Sequence, residues 1–129
     1  MIRLFSIIVI LFFGLQLQSQ ITSDNDCGKI YNIVDSMPQF PGGDIAFSHF
    51  IRDLEYPENC TVHDLEYVKF IINKEGKATA IEAVGFKDLC AEAIENQFAK
   101  MPKWTPGYLK DSAVCILQAI PIYKPNRKN

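Results

Sequence analysis

The chain has 129 residues, enough for one ordinary domain and too few for two. Its 13 Lys and Arg against 15 Asp and Glu give a formal charge of −2, which excludes the broad basic surface that nucleic-acid binding needs. With 48% hydrophobic and 22% charged residues it is globular in composition, not collagen-like or disordered.

The apolar residues are concentrated at the front. Arg3 is followed by Leu4 to Leu15, twelve residues without a charge. A membrane-spanning helix needs roughly 20 apolar residues, so this run is short. A charged start, a short apolar core and then Gln16, Gln18, Ser19 and Gln20 read as a secretory signal peptide over 1–19. Cleavage is expected after Ser19, with Leu17 two residues before it; the alternative is an uncleaved N-terminal anchor reaching Leu17. Cys27 follows Ser23-Asp24-Asn25-Asp26, which is unlike the small, apolar stretch of a lipoprotein signal. Removing 19 of the 129 residues leaves 110 and deletes only one charge, Arg3, so the net charge moves from −2 to −3. Export places Cys27, Cys60, Cys90 and Cys115 in an oxidising compartment, where two disulfides can form in three connectivities.

Residues 20–36 form a polar lead-in, with a short strand expected at 30–34 in the β-branched Ile30-Tyr31-Asn32-Ile33-Val34. The main domain is expected over 37–124. Met37-Pro38-Gln39-Phe40-Pro41-Gly42-Gly43 is a turn, because proline fixes φ and glycine permits positive φ. Asp44 is placed to cap a helix whose Phe47, Phe50, Ile51 and Leu54 share one stripe. Tyr56-Pro57 closes that helix. Leu65 to Asn73 alternates, with Val68, Phe70 and Ile72 on one face and Tyr67, Lys69 and Ile71 on the other. Lys74-Glu75-Gly76-Lys77 turns into a second strand, Ala78 to Phe86. Asp88 is placed to cap a second helix, with Cys90, Ile94, Phe98 and Met101 on one stripe and Pro102 as its stop. Lys103-Trp104-Thr105-Pro106-Gly107 is an extended loop. Ala113 to Tyr123 is a third strand, with Val114, Ile116, Ile120 and Ile122 on one face. Residues 125–129 are a polar tail.

Helix, strand, strand, helix, strand is an α+β pattern. The second helix carries the chain back across the sheet, so the third strand runs antiparallel to the first and pairs with it. The expected sheet is three-stranded and antiparallel, in order 2-1-3, with both helices on one face and the third strand at an edge. Whether residues 30–34 cover that edge is left open by the sequence. Cys60 precedes the first strand and Cys90 follows the second, at the same end of the sheet. Cys115 lies near the start of the third strand, at the opposite end, where the lead-in bearing Cys27 can reach. The expected pairs are therefore Cys60–Cys90 and Cys27–Cys115.

Three pieces, in order, resemble the C-terminal domain of TonB, the energy-transducer family of Gram-negative bacteria. They are Met37-Pro38-Gln39-Phe40-Pro41-Gly42-Gly43, then Tyr56-Pro57, then Met101-Pro102-Lys103-Trp104-Thr105-Pro106-Gly107 after a helix containing Leu89, Glu92 and Ala93. The strand Val114 to Ile122, with Ile120-Pro121-Ile122 late in it, also matches, so the resemblance spans about residues 30 to 123. It implies two helices against a three-stranded sheet, and a module that grips a segment of an outer-membrane receptor as an added strand on its third strand. The matching positions are Val114, Ile116, Gln118, Ile120 and Ile122. The sequence also departs from the family. Gln20 to Ser36 is only 17 residues, with no proline-rich linker, and Leu4 to Leu17 lacks the histidine that couples the family's membrane helix to its motor. Asp64-Leu65-Glu66 stands where glycine is usual, and cysteine is more frequent. These departures favour a free-standing exported module over a working transducer.

Other chemistry is weaker. Cys60-Thr61-Val62-His63 has a zinc-compatible gap, but a structural site needs four ligands and only His49 and the other cysteines remain. A disulfide plus a surface histidine is the simpler reading. No local signature supports a Cys–His nucleophile. Asn59-Cys60-Thr61 is a glycosylation sequon only for a host with that pathway. Glu92 and Glu95 read as a solvated helix face. Met37, Phe40, Met101 and Trp104 read as core anchors rather than a recognition surface, and Pro121 limits uncontrolled pairing at the third strand.

The expected function is thus a non-enzymatic, periplasmic protein-interaction module without cofactor or metal. Its expected partner is an outer-membrane TonB-dependent receptor, which links it to transmembrane transport. The alternative is a disulfide-stabilised accessory or inhibitor domain with no transport role. No stable membrane span is expected after signal cleavage, and an open strand edge also permits a dimer.

Overall fold

The computed structural model describes residues 27–62 and 65–123. The signal-peptide and anchor readings, residues 20–26 of the lead-in, His63, Asp64, Lys124 and the tail 125–129 lie outside them. The elements are β1 (Ile30–Tyr31), α1 (Gly43–Arg52), β2 (Tyr67–Ile72), β3 (Ala78–Val84), α2 (Asp88–Ala99), β4 (Gly107–Leu109) and β5 (Ser112–Pro121).

The fold is α+β, and the three antiparallel strands expected from the sequence are β2, β3 and β5. β2 pairs antiparallel with β3 on one side and with β5 on the other, in the expected order. The full sheet is larger than that expectation. It is mixed and five-stranded, in order β1-β5-β2-β3, with β4 also on β5. β1 runs parallel to β5, and β4 forms a hairpin with the start of β5. The sequence concealed β4 because Lys110-Asp111 is not a glycine-bearing turn; Lys110 nevertheless adopts φ 55.

Alternation decides the faces. Val68, Phe70 and Ile72 of β2 are fully buried, and together with Leu54, Ile94, Phe98, Trp104 and Ile122 they form the core. α2 supplies Cys90, Ile94 and Phe98, spaced every four residues, as one buried stripe. Phe47, Phe50 and Ile51 of α1 are half-buried against the same core. Across the hairpin the register shifts between Lys69 and Ile71, and Ala80, at φ 50, is the extra residue of a bulge in β3.

Both helix starts differ by a residue or two from the sequence reading. The N-cap of α1 is Gly42, at φ 86, and Asp44 lies inside the first turn without a capping bond. Gly43 N–H instead closes a turn onto Phe40 C=O at 2.8 Å, with Pro41 and Gly42 at its centre and the positive φ it needs supplied by Gly42. The N-cap of α2 is Lys87, and Asp88 is the first helical residue. Each carboxylate still sits at the positive end of its helix dipole.

Cys27–Cys115 and Cys60–Cys90 are both disulfides, each with Cα atoms 5.6 Å apart. Among the described residues no helix is long and apolar enough to cross a membrane.

Candidate functional site: the outer side of β5

β5 has two sides. Ile122 N–H donates to Glu66 C=O at 3.0 Å, so position 122 turns its main chain toward the β2 side. Antiparallel ladders alternate, so Ile116, Gln118 and Ile120 also face β2, while Cys115, Leu117, Ala119 and Pro121 face outward. β1 meets that outer side only at Cys115 and Ile116. Leu117 therefore lies at the boundary of β1. Ala119 lies beyond it with both main-chain groups outward, and Pro121 presents its carbonyl alone. Among the described residues no strand pairs with this outer side past Ile116.

The short cover has a local cause. The expected strand at 30–34 is only Ile30–Tyr31. Beyond it the chain is drawn off β5 and onto β4. The Asp35 carboxylate accepts Lys110 N–H at 2.9 Å, and Ser36 exchanges two main-chain bonds with Tyr108 at 3.1 and 2.8 Å. The third strand is thus not a bare edge; its first part is covered and its last part is not.

The five positions carried over from the resemblance fall on the inner register. Ile116 and Ile122 are buried, and Val114, Gln118 and Ile120 are half-buried. The groups that reach the open side belong to the intervening residues, which the sequence reading did not single out. Alternation about Ile122 was the signal that could have found them.

The face of the sheet away from the helices flanks this edge. Tyr67 pairs with Pro121, Lys69 with Ala119 and Ile71 with Leu117. Tyr67 and Leu117 are exposed, at 37% and 39%. Lys69 Nζ lies 3.0 Å from a Glu82 carboxylate oxygen, and that hydrogen bond holds its ammonium above the ordinary lysine value.

The two proline-bounded turns do not reach this surface. They lie side by side: Gln39 and Thr105 exchange main-chain bonds at 3.1 and 2.8 Å, and the Phe40 ring meets Trp104 edge-on at 5.5 Å. Trp104 is buried, Phe40 and Met101 pack against the core, and Met37 is exposed. Trp104 Nε1 is buried without a hydrogen-bond partner among the described residues.

Near the other end of β5, Cys60 is bonded to Cys90, so its thiol is not available to pair with His63 for zinc or for nucleophilic chemistry. Gln97 on α2 ties down the segment after α1, its side-chain amide donating to Glu55 C=O and accepting Glu55 N–H, both at 2.8 Å. Glu95 is half-buried and accepts Ala83 N–H at 3.0 Å, so it is a structural contact, and only Glu92 lies on the solvated helix face that the sequence suggested for both.

Compared with protein-family models, curated proteins and solved structures, the chain matches none.

Proposed function

We propose that the chain is an exported, non-enzymatic protein-interaction module that accepts a short partner segment as an added strand on the outer side of β5. The observation that carries this reading is Ala119, whose N–H and C=O face outward beyond the end of β1. Strand addition draws its affinity from such main-chain groups and its selectivity from alternate side chains. Pro121 supports the reading because it shortens the edge and so limits indiscriminate pairing. The resemblance to TonB C-terminal domains names the partner class: a segment of an outer-membrane receptor, in an envelope of the Gram-negative type. Two disulfides fit an oxidising compartment, of which the periplasm is the one this reading implies.

The test is capture of detergent-solubilised outer-membrane receptors by the immobilised protein. Wild type retains a receptor; Ala119→Pro, which removes an outward N–H, does not, while its circular dichroism stays native. Equal retention by the two proteins would sink strand addition. Retention of no receptor by either favours the accessory or inhibitor reading, for which the two disulfides are the supporting observation.

A further inference from the structure

We infer that the Cys27–Cys115 disulfide is a redox latch: reduction by a dithiol releases β1 and lengthens the open side of β5 back to Cys115. The exposure of the four cysteine residues carries the first half of this. A thiolate must reach one sulfur of the bond to displace the other. Cys60, Cys90 and Cys115 are buried, at 5%, 6% and 1% exposure, whereas Cys27 is half-exposed. Attack at Cys27 Sγ expels Cys115 as the leaving thiolate, which takes up a proton. The second thiol of the dithiol then resolves the mixed disulfide and frees Cys27 as a thiol. Two electrons and two protons pass to this chain, and the reductant leaves as a disulfide. A Cys-X-X-Cys oxidoreductase is the chemical class that supplies such a dithiol.

What remains to hold β1 carries the second half. β1 is two residues long, too short to persist as a strand without its fastener. Ile30 is 46% exposed, and Ile33, just beyond, is 84% exposed. Asn32 and Ile33 are exposed and lead to Val34, which is buried, and to Asp35, which the Lys110 amide anchors separately, so the chain beyond Ile33 is held without β1. β1 can therefore swing out while Asp35 to Gln39 stay on the β4 side. In the parallel register Cys115 and Leu117 are the β5 residues turned toward β1, so their amides are the ones it covers. The latch stands independently of strand addition. Its effect on partner binding rests on that proposal, because a longer open side admits a longer segment.

The test titrates the folded protein with dithiothreitol, alkylates free thiols and maps the labelled peptides. Cys27 and Cys115 are labelled before Cys60 and Cys90; labelling of Cys60 and Cys90 first overturns the proposal. In parallel, amide hydrogen exchange is compared between wild type and Cys27→Ala/Cys115→Ala. The amides at 115 and 117 exchange about tenfold faster or more in the variant, while Phe70 and Gln118 are unchanged. Unchanged exchange at 115 and 117 overturns it, and so does acceleration throughout the core, which marks a plain structural staple. Receptor capture by the oxidised wild type is unaffected by the fate of the latch, so the two proposals fail separately.

Discussion

Trp104 donates its main-chain N–H to Gly76 C=O at 2.8 Å, and a Cβ built at Gly76 would lie 1.9 Å from Trp104 C=O. The β2–β3 turn and the loop before β4 thus touch backbone to backbone, and Gly76 also holds φ 85. Gly76→Ala meets both penalties and is expected to cost about 3 kcal/mol or more in urea unfolding. A cost under about 1 kcal/mol would show that the loop yields easily.

Gln97 satisfies both main-chain groups of Glu55, which itself lies outside the named strands and helices. Gln97→Ala leaves that N–H and C=O to water and is expected to cost about 1–2 kcal/mol, because Glu55 is exposed and can rehydrate. Gln97→Glu keeps the acceptor for Glu55 N–H and is expected to fall between wild type and alanine.

The two sides of β5 predict opposite responses to proline. Gln118→Pro removes an N–H turned toward β2 and is expected to cost about 3 kcal/mol or more. Ala119→Pro removes an outward N–H and is expected to cost clearly less, as edge positions tolerate proline. Chemical denaturation of both variants checks the register itself, with no partner present.

Tyr56 has its phenol pushed above the ordinary tyrosine value of 10.0, first by burial and second by the charge of Glu66. A raised folded value means that the folded state keeps its proton where the unfolded chain loses it. Stability from this group is therefore intact below about pH 10 and declines as pH rises above it. Denaturation midpoints measured from pH 8 to 11 are expected to fall less steeply in Tyr56→Phe than in wild type. Parallel slopes would remove Tyr56 as the source.

Cys60–Cys90 closes a separation of 30 residues, worth roughly 3.6 kcal/mol in the chain-entropy model. It is buried at the start of α2, away from the open side of β5. Cys60→Ala/Cys90→Ala is expected to lower the free energy of unfolding by an amount of that order and to leave the exchange pattern of 115 to 119 unchanged.

Much of this fold can be read from residue periodicity. Val68, Phe70 and Ile72 alternate, and Cys90, Ile94 and Phe98 repeat every four, because burial on one face imposes a period of two on a strand and about 3.6 on a helix. Once those elements stand in order, chain direction sets Cys60 near Cys90 and leaves Cys115 at the end of the sheet that the lead-in bearing Cys27 can reach. What periodicity does not carry is the pairing of short segments with little apolar content. β1 and β4 exist because Ile30 lies against Cys115 and Gly107 against Val114, contacts between residues remote in sequence. Gly107 has no positive φ; it is there because a Cβ would lie 2.6 Å from the Ile116 side chain. The candidate site belongs to this second class. The sequence by itself determined that β5 is a strand with an apolar inner face. Only the tertiary structure decided how far β1 covers it, because the Asp35 and Ser36 bonds to β4 draw the lead-in away past Ile116 and leave Ala119 open.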